Sequence, residues 1–222
     1  RFCMAVFCWI LIALLLYVIY GFSAQTGDES ASLSLKVTKF LAPRLNGHFA
    51  HLSHREQNAI IDYLHPIVRK LAHFSEYALL GALITCAALC HVWELWARIT
   101  VAVICSGAAG LMDEFSQLFT PGRAGSMRDA AIDFCGAVVG IAAICGLLYL
   151  GYVKAPPDTA YIISGFRKPR ILIGKAGIRI PFLERLDKLS LKMFSVDVKT
   201  TDYVPNAEYI NVKVDATVKI RI

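Results

Sequence analysis

The sequence predicts an α-helical membrane bundle of four transmembrane helices followed by a truncated, strand-rich α+β region. Three observations predict it. The chain is 56% hydrophobic and only 18% charged, with a mean hydropathy of +0.53, a composition found in integral membrane proteins rather than soluble domains. Its apolar residues are gathered into four runs long enough to cross a hydrocarbon core of ~30 Å. After about residue 153 the long runs give way to short alternating ones, and the charge balance shifts. Residues 1–153 hold ten Lys+Arg and ten Asp+Glu, whereas residues 154–222 hold thirteen basic and seven acidic residues, which is the whole net charge of +6. The expected division is a membrane domain over 1–153 and a second domain over 154–222.

The first span is Phe2 to Phe22, without a single charge, left through the polar exit Ser23-Ala24-Gln25-Thr26-Gly27. Leu33, Val37, Phe40 and Leu41, and then Ile60, Ile61, Leu64, Ile67 and Val68, recur at helical spacing. Two short amphipathic helices at the interface are therefore expected over 28–68, broken near Pro43 and Gly47. A second span follows from Leu71 to Trp93, opened by Arg69-Lys70, with Gly81, Ala82, Ala87 and Ala88 allowing close helix contact. After a connection over 93–98 a third span runs from Ile99 to Phe119, ended by Pro121-Gly122. Ser126-x-x-Asp129 has the form of a capping box for the fourth helix, Met127 to Val153, in which Gly136-x-x-x-Gly140 is a packing face. The seven cysteines lie in the apolar stretches with no C-x-x-C spacing, so neither a disulfide framework nor a zinc site is expected.

Between residues 113 and 133 stand four carboxylates (Asp113, Glu114, Asp129, Asp133) and two guanidiniums (Arg123, Arg128), set between apolar runs. A charge near the centre of a membrane helix costs at least ~2.5 kcal/mol, so such groups mark a candidate functional site. Four spans alternate in direction. The exits of spans one and three and the entries of spans two and four therefore lie on one side of the membrane. That rule brings together Gln25, the shared face Arg69, His73 and Glu76 with Lys70 beside it, then Asp113, Glu114 and Gln117, and finally Arg123, Arg128, Asp129 and Asp133. If residues 154–222 are cytoplasmic, as basic residues after a last span favour, this polar rim faces outward.

Two chemistries fit the rim. In one, Arg69, Lys70, Arg123 and Arg128 receive a phosphate or carboxylate while His73 or an acid moves a proton, in a pocket for a lipid-linked or glycopeptide-related ligand. In the other, the charges pair across helices as a structural clasp, at ~0.6 kcal/mol per pair. No nucleophile–base pair can be placed, so no residue is assigned a catalytic role, and Ser126 is accounted for as a cap. His73-x-x-Glu76 has the spacing of helical di-metal sites but lacks a second copy. His48, His51, His54 and His65 are read as solvated interfacial residues, and no metal, other cofactor or nucleic-acid partner is assigned.

Ser23-Ala24-Gln25, then Arg69-Lys70-Leu71-Ala72-His73-Phe74-Ser75-Glu76-Tyr77, then Asp113-Glu114-Phe115-Ser116-Gln117 with Pro121-Gly122-Arg123 and Arg128-Asp129…Asp133 resemble the VanZ-like membrane family. Three separated motifs in order carry the resemblance over most of residues 1–150. It implies a multi-pass protein of the bacterial cell membrane, in the context of teicoplanin resistance or cell-envelope lipid handling, without defining a reaction.

From Ala155 the pattern is that of strands. Tyr161-Ile162-Ile163, Ile171-Leu172-Ile173 and Ile178-Arg179-Ile180 are short runs punctuated by Gly165, Gly174, Gly177 and Pro181. Leu189 to Val198 shifts phase near Met193-Phe194, which predicts a bulge. Ile210 to Ile222 alternates without interruption, which predicts a strand with one buried face. The start at Arg1 and the end inside this alternation are read as a chain cut at both ends from a longer polypeptide. Val153 to Gly165, with Gly177-Ile178-Arg179-Ile180-Pro181-Phe182 and Asp187-Lys188-Leu189-Ser190-Leu191, resembles the opening of the band 7 (SPFH) domain of bacterial flotillins. That resemblance implies a large membrane-anchored homo-oligomer on the cytoplasmic face, with membrane lipids and other copies of itself as partners. The alternative to a functional pocket is then a membrane-microdomain scaffold in which the four helices are only an anchor.

Overall fold

Four helices of the chain are long and apolar enough to cross a membrane: α1 (Phe2–Ser23), α3 (His54–Cys90), α4 (Leu95–Gln117) and α5 (Met127–Gly151), with α2 (Gly27–Leu45) between the first two. The computed structural model describes residues 2–91, 94–192, 194–199, 202–213 and 215–220. It divides into two units, residues 1–146 and 147–222.

In the first unit Ile12 and Ile19 of α1 pack with Tyr77, Leu80 and Ile84 of α3, Ala102 of α4, and Ala137 and Ile141 of α5. The opposite faces leave Phe7, Ile10 and Leu14 of α1 and Ile104, Leu111 and Phe115 of α4 exposed. An apolar outside suits helices solvated by lipid, where close van der Waals contact replaces hydrophobic burial as the cohesive force. The Gly136-x-x-x-Gly140 face shows that contact directly. A Cβ at Gly136 would collide with the Phe74 carbonyl oxygen and one at Gly140 with that of Ala78, so α5 lies backbone to backbone on α3. The hydroxyls of Tyr20 and Tyr77 both donate to the Ala109 carbonyl, at 3.4 and 3.5 Å, tying α1 and α3 to α4.

The helix starts follow side-chain chemistry. Thr26 and Glu29 form a reciprocal capping box on α2, and Ser53 and Glu56 form another on α3. The expected break between an interfacial helix and the second span does not occur. His54–Cys90 is one helix of 37 residues that runs through Pro66 and past Arg69-Lys70. Proline removes only one donor from the ladder, and the roughly 3 kcal/mol it costs is offset where α2 and α1 pack along the two arms. At 1.5 Å per residue the helix is about 55 Å long, well beyond the ~30 Å core. Likewise α2 passes Pro43 and stops only at Asn46, and α4 starts at Leu95 instead of Ile99, with Glu94 as its N-terminal flank. Helix α4 ends at Gln117, where Leu118, Phe119 and Thr120 close a tighter last turn onto the carbonyls of Phe115, Ser116 and Gln117. Helix α5 ends at Gly151, two residues before the expected Val153.

The second unit is strand-rich. Strand β2 (Thr159–Gly165) sits between β3 (Arg170–Leu172) and β5 (Glu184–Ser190), all antiparallel, with Ile162 opposite Ile171 and Asp187. Separately, β1 (Tyr152–Lys154) pairs with β4 (Ala176–Ile178), β6 (Phe194–Lys199) with β9 (Asp215–Ile220), and β7 (Val204–Pro205) with β8 (Asn211–Val212). Buried Glu184 ties this unit together: Arg167 grips it with two hydrogen bonds of 2.7 and 2.9 Å, Arg170 adds a third contact, and the Ile180 N–H donates at 2.7 Å. This environment, the Arg167 side chain above all, holds its carboxyl down at about 2.

Two strand expectations change. The alternating run over 210–222 is split between β8 and β9, which pair with different partners. Nor is a face buried among its described residues: Ile210, Val212, Ala216 and Val218 are all exposed, because these strands form two-stranded ribbons with no layer of described residues over either side. The predicted bulge falls on Met193, outside the described residues, between β5 and β6.

Candidate functional site

Helix α3 presents His65, Arg69, His73 and Glu76 at intervals of four, four and three residues, so one stripe of the helix is polar along three turns. Against it stand the end of α4, the loop 118–126 and the start of α5. Together they enclose a cavity of about 350 Å³ lined by His65, Arg69, Lys70, His73, Glu114, Gln117, Arg123, Asp129 and Asp133. A smaller cavity of about 100 Å³ lies beside it, lined by Ser23, Gln25, Ser34 and Glu76 and sharing Arg69, His73 and Arg123 with the first. Of the residues singled out from sequence, Asp113 is fully buried in α4 without lining either cavity, and Arg128 is exposed and lines neither.

The loop that closes the site is held tightly. The Gly27 N–H donates to the Pro121 carbonyl at 3.1 Å, and a Cβ on Gly27 would collide with the Gly122 carbonyl. Gly122 itself adopts φ +74°, a conformation that favours glycine. The capping box expected at the start of α5 forms in a different way. Ser126 Oγ accepts from the Arg128 N–H at 3.2 Å, but the Ser126 N–H turns to Glu114 Oε2 at 2.7 Å, a partner twelve residues back on α4, instead of to Asp129.

Each charged group has a different fate. Gln117 Nε2 donates to Asp113 Oδ2 at 3.1 Å and to Glu114 Oε1 at 3.4 Å. Asp113 Oδ1 and both oxygens of Asp133 are buried without a hydrogen-bond partner, and the basic side-chain nitrogen within 4.0 Å of Asp133 is His73 Nδ1, at 3.9 Å. Arg123 Nη2 donates to the Phe22 carbonyl at 2.8 Å, while its Nε and Nη1 are buried and unpartnered. Burial, then the neighbouring Arg69, pulls the Arg123 guanidinium below its ordinary value. Among the described residues of this unit, no Arg or Lys comes within 4.0 Å of a carboxylate. Among the described residues the cations and acids of this unit thus share the site without Arg or Lys neutralising a carboxylate at contact, and the ion-pair distance between its helices is that of His73 with Asp133.

The smaller cavity and the first turn of the site include residues that sequence reasoning passed over. His65, expected to be solvated like the other histidines of its segment, is half-buried, lines the cavity and meets Ser34 Oγ at 2.7 Å, whereas His48, His51 and His54 are exposed. Its position four residues before Arg69, on the same stripe, is the pattern that places it there. His73, Asp113 and Asp133, from three different helices, each offer a ligand atom within 4.8 Å of the others, a donor set that a metal ion could use. The sequence pairing of His73 with Glu76 does not form that cluster, since Glu76 faces the smaller cavity.

The VanZ/LLP1 family model matches residues 7–149, a stretch that holds all but the outer ends of the four apolar helices and every residue around the two cavities. No curated protein matches the chain. A match over more than half of the sequence, with the polar cavity inside it, places the chain in the VanZ/LLP1 family of membrane proteins.

Proposed function

We propose that the larger cavity binds the anionic head of a lipid-linked or glycopeptide-related ligand of the bacterial cell envelope, with Arg123, Arg69 and Lys70 receiving its phosphate or carboxylate oxygens. The observation that carries this is the state of Arg123: a half-buried guanidinium in the cavity wall with two N–H-bearing atoms buried and unpartnered. A planar fork of donors left unmet in a cavity is suited to a bidentate oxyanion, which would also offset the desolvation of the cation. Arg69 and Lys70, which make no side-chain hydrogen bond or ion pair among the described residues, add charge at the same opening. The family context of teicoplanin resistance fits an envelope ligand. Binding is proposed here and a reaction is not: the hydroxyl–imidazole pair beside the cavity, Ser34 Oγ with His65 at 2.7 Å, has its hydroxyl turned to the Ser30 and Ala31 carbonyls of its own helix.

Residues 154–222 are proposed to be the opening of an SPFH domain that assembles copies of the chain on the cytoplasmic face, with membrane lipids as partners. Exposed Val196, Val198 and Val218 on the β6–β9 ribbon favour such assembly, because apolar strand faces of this kind are covered by neighbours in stable sheets. In the second reading this assembly is the whole function and the helices only anchor it.

The experiment is antibiotic sensitivity, with teicoplanin-type and other envelope antibiotics, of cells expressing the full chain, its Arg123→Gln and Arg69→Gln variants, and a form ending at Val153, with membrane levels measured. Resistance lost in the arginine variants and kept on truncation supports the pocket. Resistance lost only on truncation, or absent throughout, favours the scaffold.

A further inference from the structure

We propose that His73, Asp113 and Asp133 form a binding site for one divalent first-row cation, Mn2+ or Zn2+, in the wall of the larger cavity. Three features of the geometry carry this. One ligand atom from each side chain lies within 4.8 Å of the other two, although the residues come from α3, α4 and α5. Ligand atoms about 2.0–2.2 Å from a shared ion stand about 3 to 4.4 Å apart, so small side-chain rotations close the remaining gap. Both aspartates are fully buried, and three of their four carboxylate oxygens have no hydrogen-bond donor. His73 Nδ1 is likewise buried and unpartnered. Buried polar atoms are rarely left so, and two carboxylates and an imidazole gathered this closely, with most of their polar atoms unmet, form a ligand set.

The surroundings position these groups. Gln117 Nε2 holds Asp113 through Oδ2 at 3.1 Å, which leaves Oδ1 for a metal, the arrangement by which outer hydrogen bonds orient a ligating carboxylate. The close contact of Gly136 with Phe74 fixes α5 against α3 one residue from His73 and three from Asp133. Backbone contact, with no flexible side chain between, sets the spacing of those two ligands. One nitrogen and two oxygen donors, with no thiolate, suit a hard to borderline ion and disfavour a soft one. His73 and Asp133 also line the cavity, so a bound ion would retain positions open to a ligand there. The proposal goes beyond the anion-binding reading and does not depend on it, since metal binding is measured with no lipid or antibiotic present.

The test uses the full chain in detergent, stripped with a chelator, loaded with Mn2+ or Zn2+ alone and freed of excess ion. About one equivalent per chain is expected to remain on the wild type and on Asp62→Asn, which changes an exposed acid of α3 outside the cavity. His73→Gln and Asp133→Asn are each expected to weaken affinity by at least about tenfold. Should either variant fail to fold, the wild type still decides: bound Mn2+ must show a nitrogen hyperfine coupling that changes when histidine is labelled with 15N. Retention of less than a small fraction of an equivalent, metal bound without nitrogen coupling, or unchanged affinity in both folded variants would each overturn the site.

Discussion

Glu114 near the end of α4 and Ser126 before α5 are joined by one short hydrogen bond, the serine N–H donating to the carboxylate at 2.7 Å. The bond replaces half of a local capping box and makes the loop between the two helices part of the cavity wall. Glu114→Ala removes the acceptor and leaves a part-buried N–H unmet. A loss of about 1–3 kcal/mol is expected, with faster amide hydrogen exchange confined to residues 118–128. Unchanged exchange in that loop would show that the bond does not hold it.

The backbone contact of α3 with α5 separates one glycine from another. Gly140→Ala drives a methyl group into the Ala78 carbonyl and is expected to destabilise the bundle by about 1–3 kcal/mol. Gly146, with nothing within 4 Å of its Cβ position, should accept alanine within about 1 kcal/mol. Thermal unfolding of both variants in the same detergent checks the difference, and equal midpoints would contradict the close packing.

Acid should act on the strand-rich unit through Glu184. Its carboxyl is held at about 2, below the ordinary carboxylate range, by Arg167 first and by the Ile180 N–H next. A depressed folded value contributes stability above the unfolded pKa of about 4.3. That stability is lost as pH falls from there toward 2. Protection of the β2 and β5 amides should therefore fall across this window in the wild type and be low and nearly pH-independent in Glu184→Gln. A wild-type profile as flat as the variant's would remove Glu184 as the cause.

We propose, from the basic residues beyond the last span, that residues 154–222 face the cytoplasm and the loop 118–126 faces outward. Ala124 in that loop is exposed. Ala124→Cys should react with a membrane-impermeant maleimide in intact cells, above the background of the seven native cysteines. Reaction only after the cells are opened would invert the topology.

What the sequence makes legible is set by how local its cause is. Uncharged runs such as Phe2–Phe22 announce spans because hydropathy over about 20 residues is all that membrane crossing requires. Gly136 and Gly140 announce a close contact because only small residues allow one, although the partner, α3, is not written there. The continuity of α3 was hidden because Pro66 and Arg69-Lys70 are local signs of a start, whereas the packing of α2 and α1 that keeps the helix whole comes from other parts of the chain. The polar residues could be gathered to one side by counting spans. Their pairing could not, since whether Asp133 meets Arg69 or His73 depends on how α5 is rotated against α3. The exposed faces of β8 and β9 were hidden for a similar reason, because alternation states which side chains share a face and not what covers it.

Because α5 rests on α3 main chain against main chain, the distance between His73 and Asp133 does not depend on the volume of any intervening side chain. Phe7, Leu14, Leu111 and Phe115, on the outer faces, are free to drift with the bilayer in which the protein resides. The lipid-facing residues can thus be replaced wholesale, as adaptation to membranes of different thickness would demand, while the polar centre keeps its geometry. Variation among such chains should accordingly be steepest on the outside of the bundle and least at Gly136, Gly140 and the two residues whose carbonyls they touch.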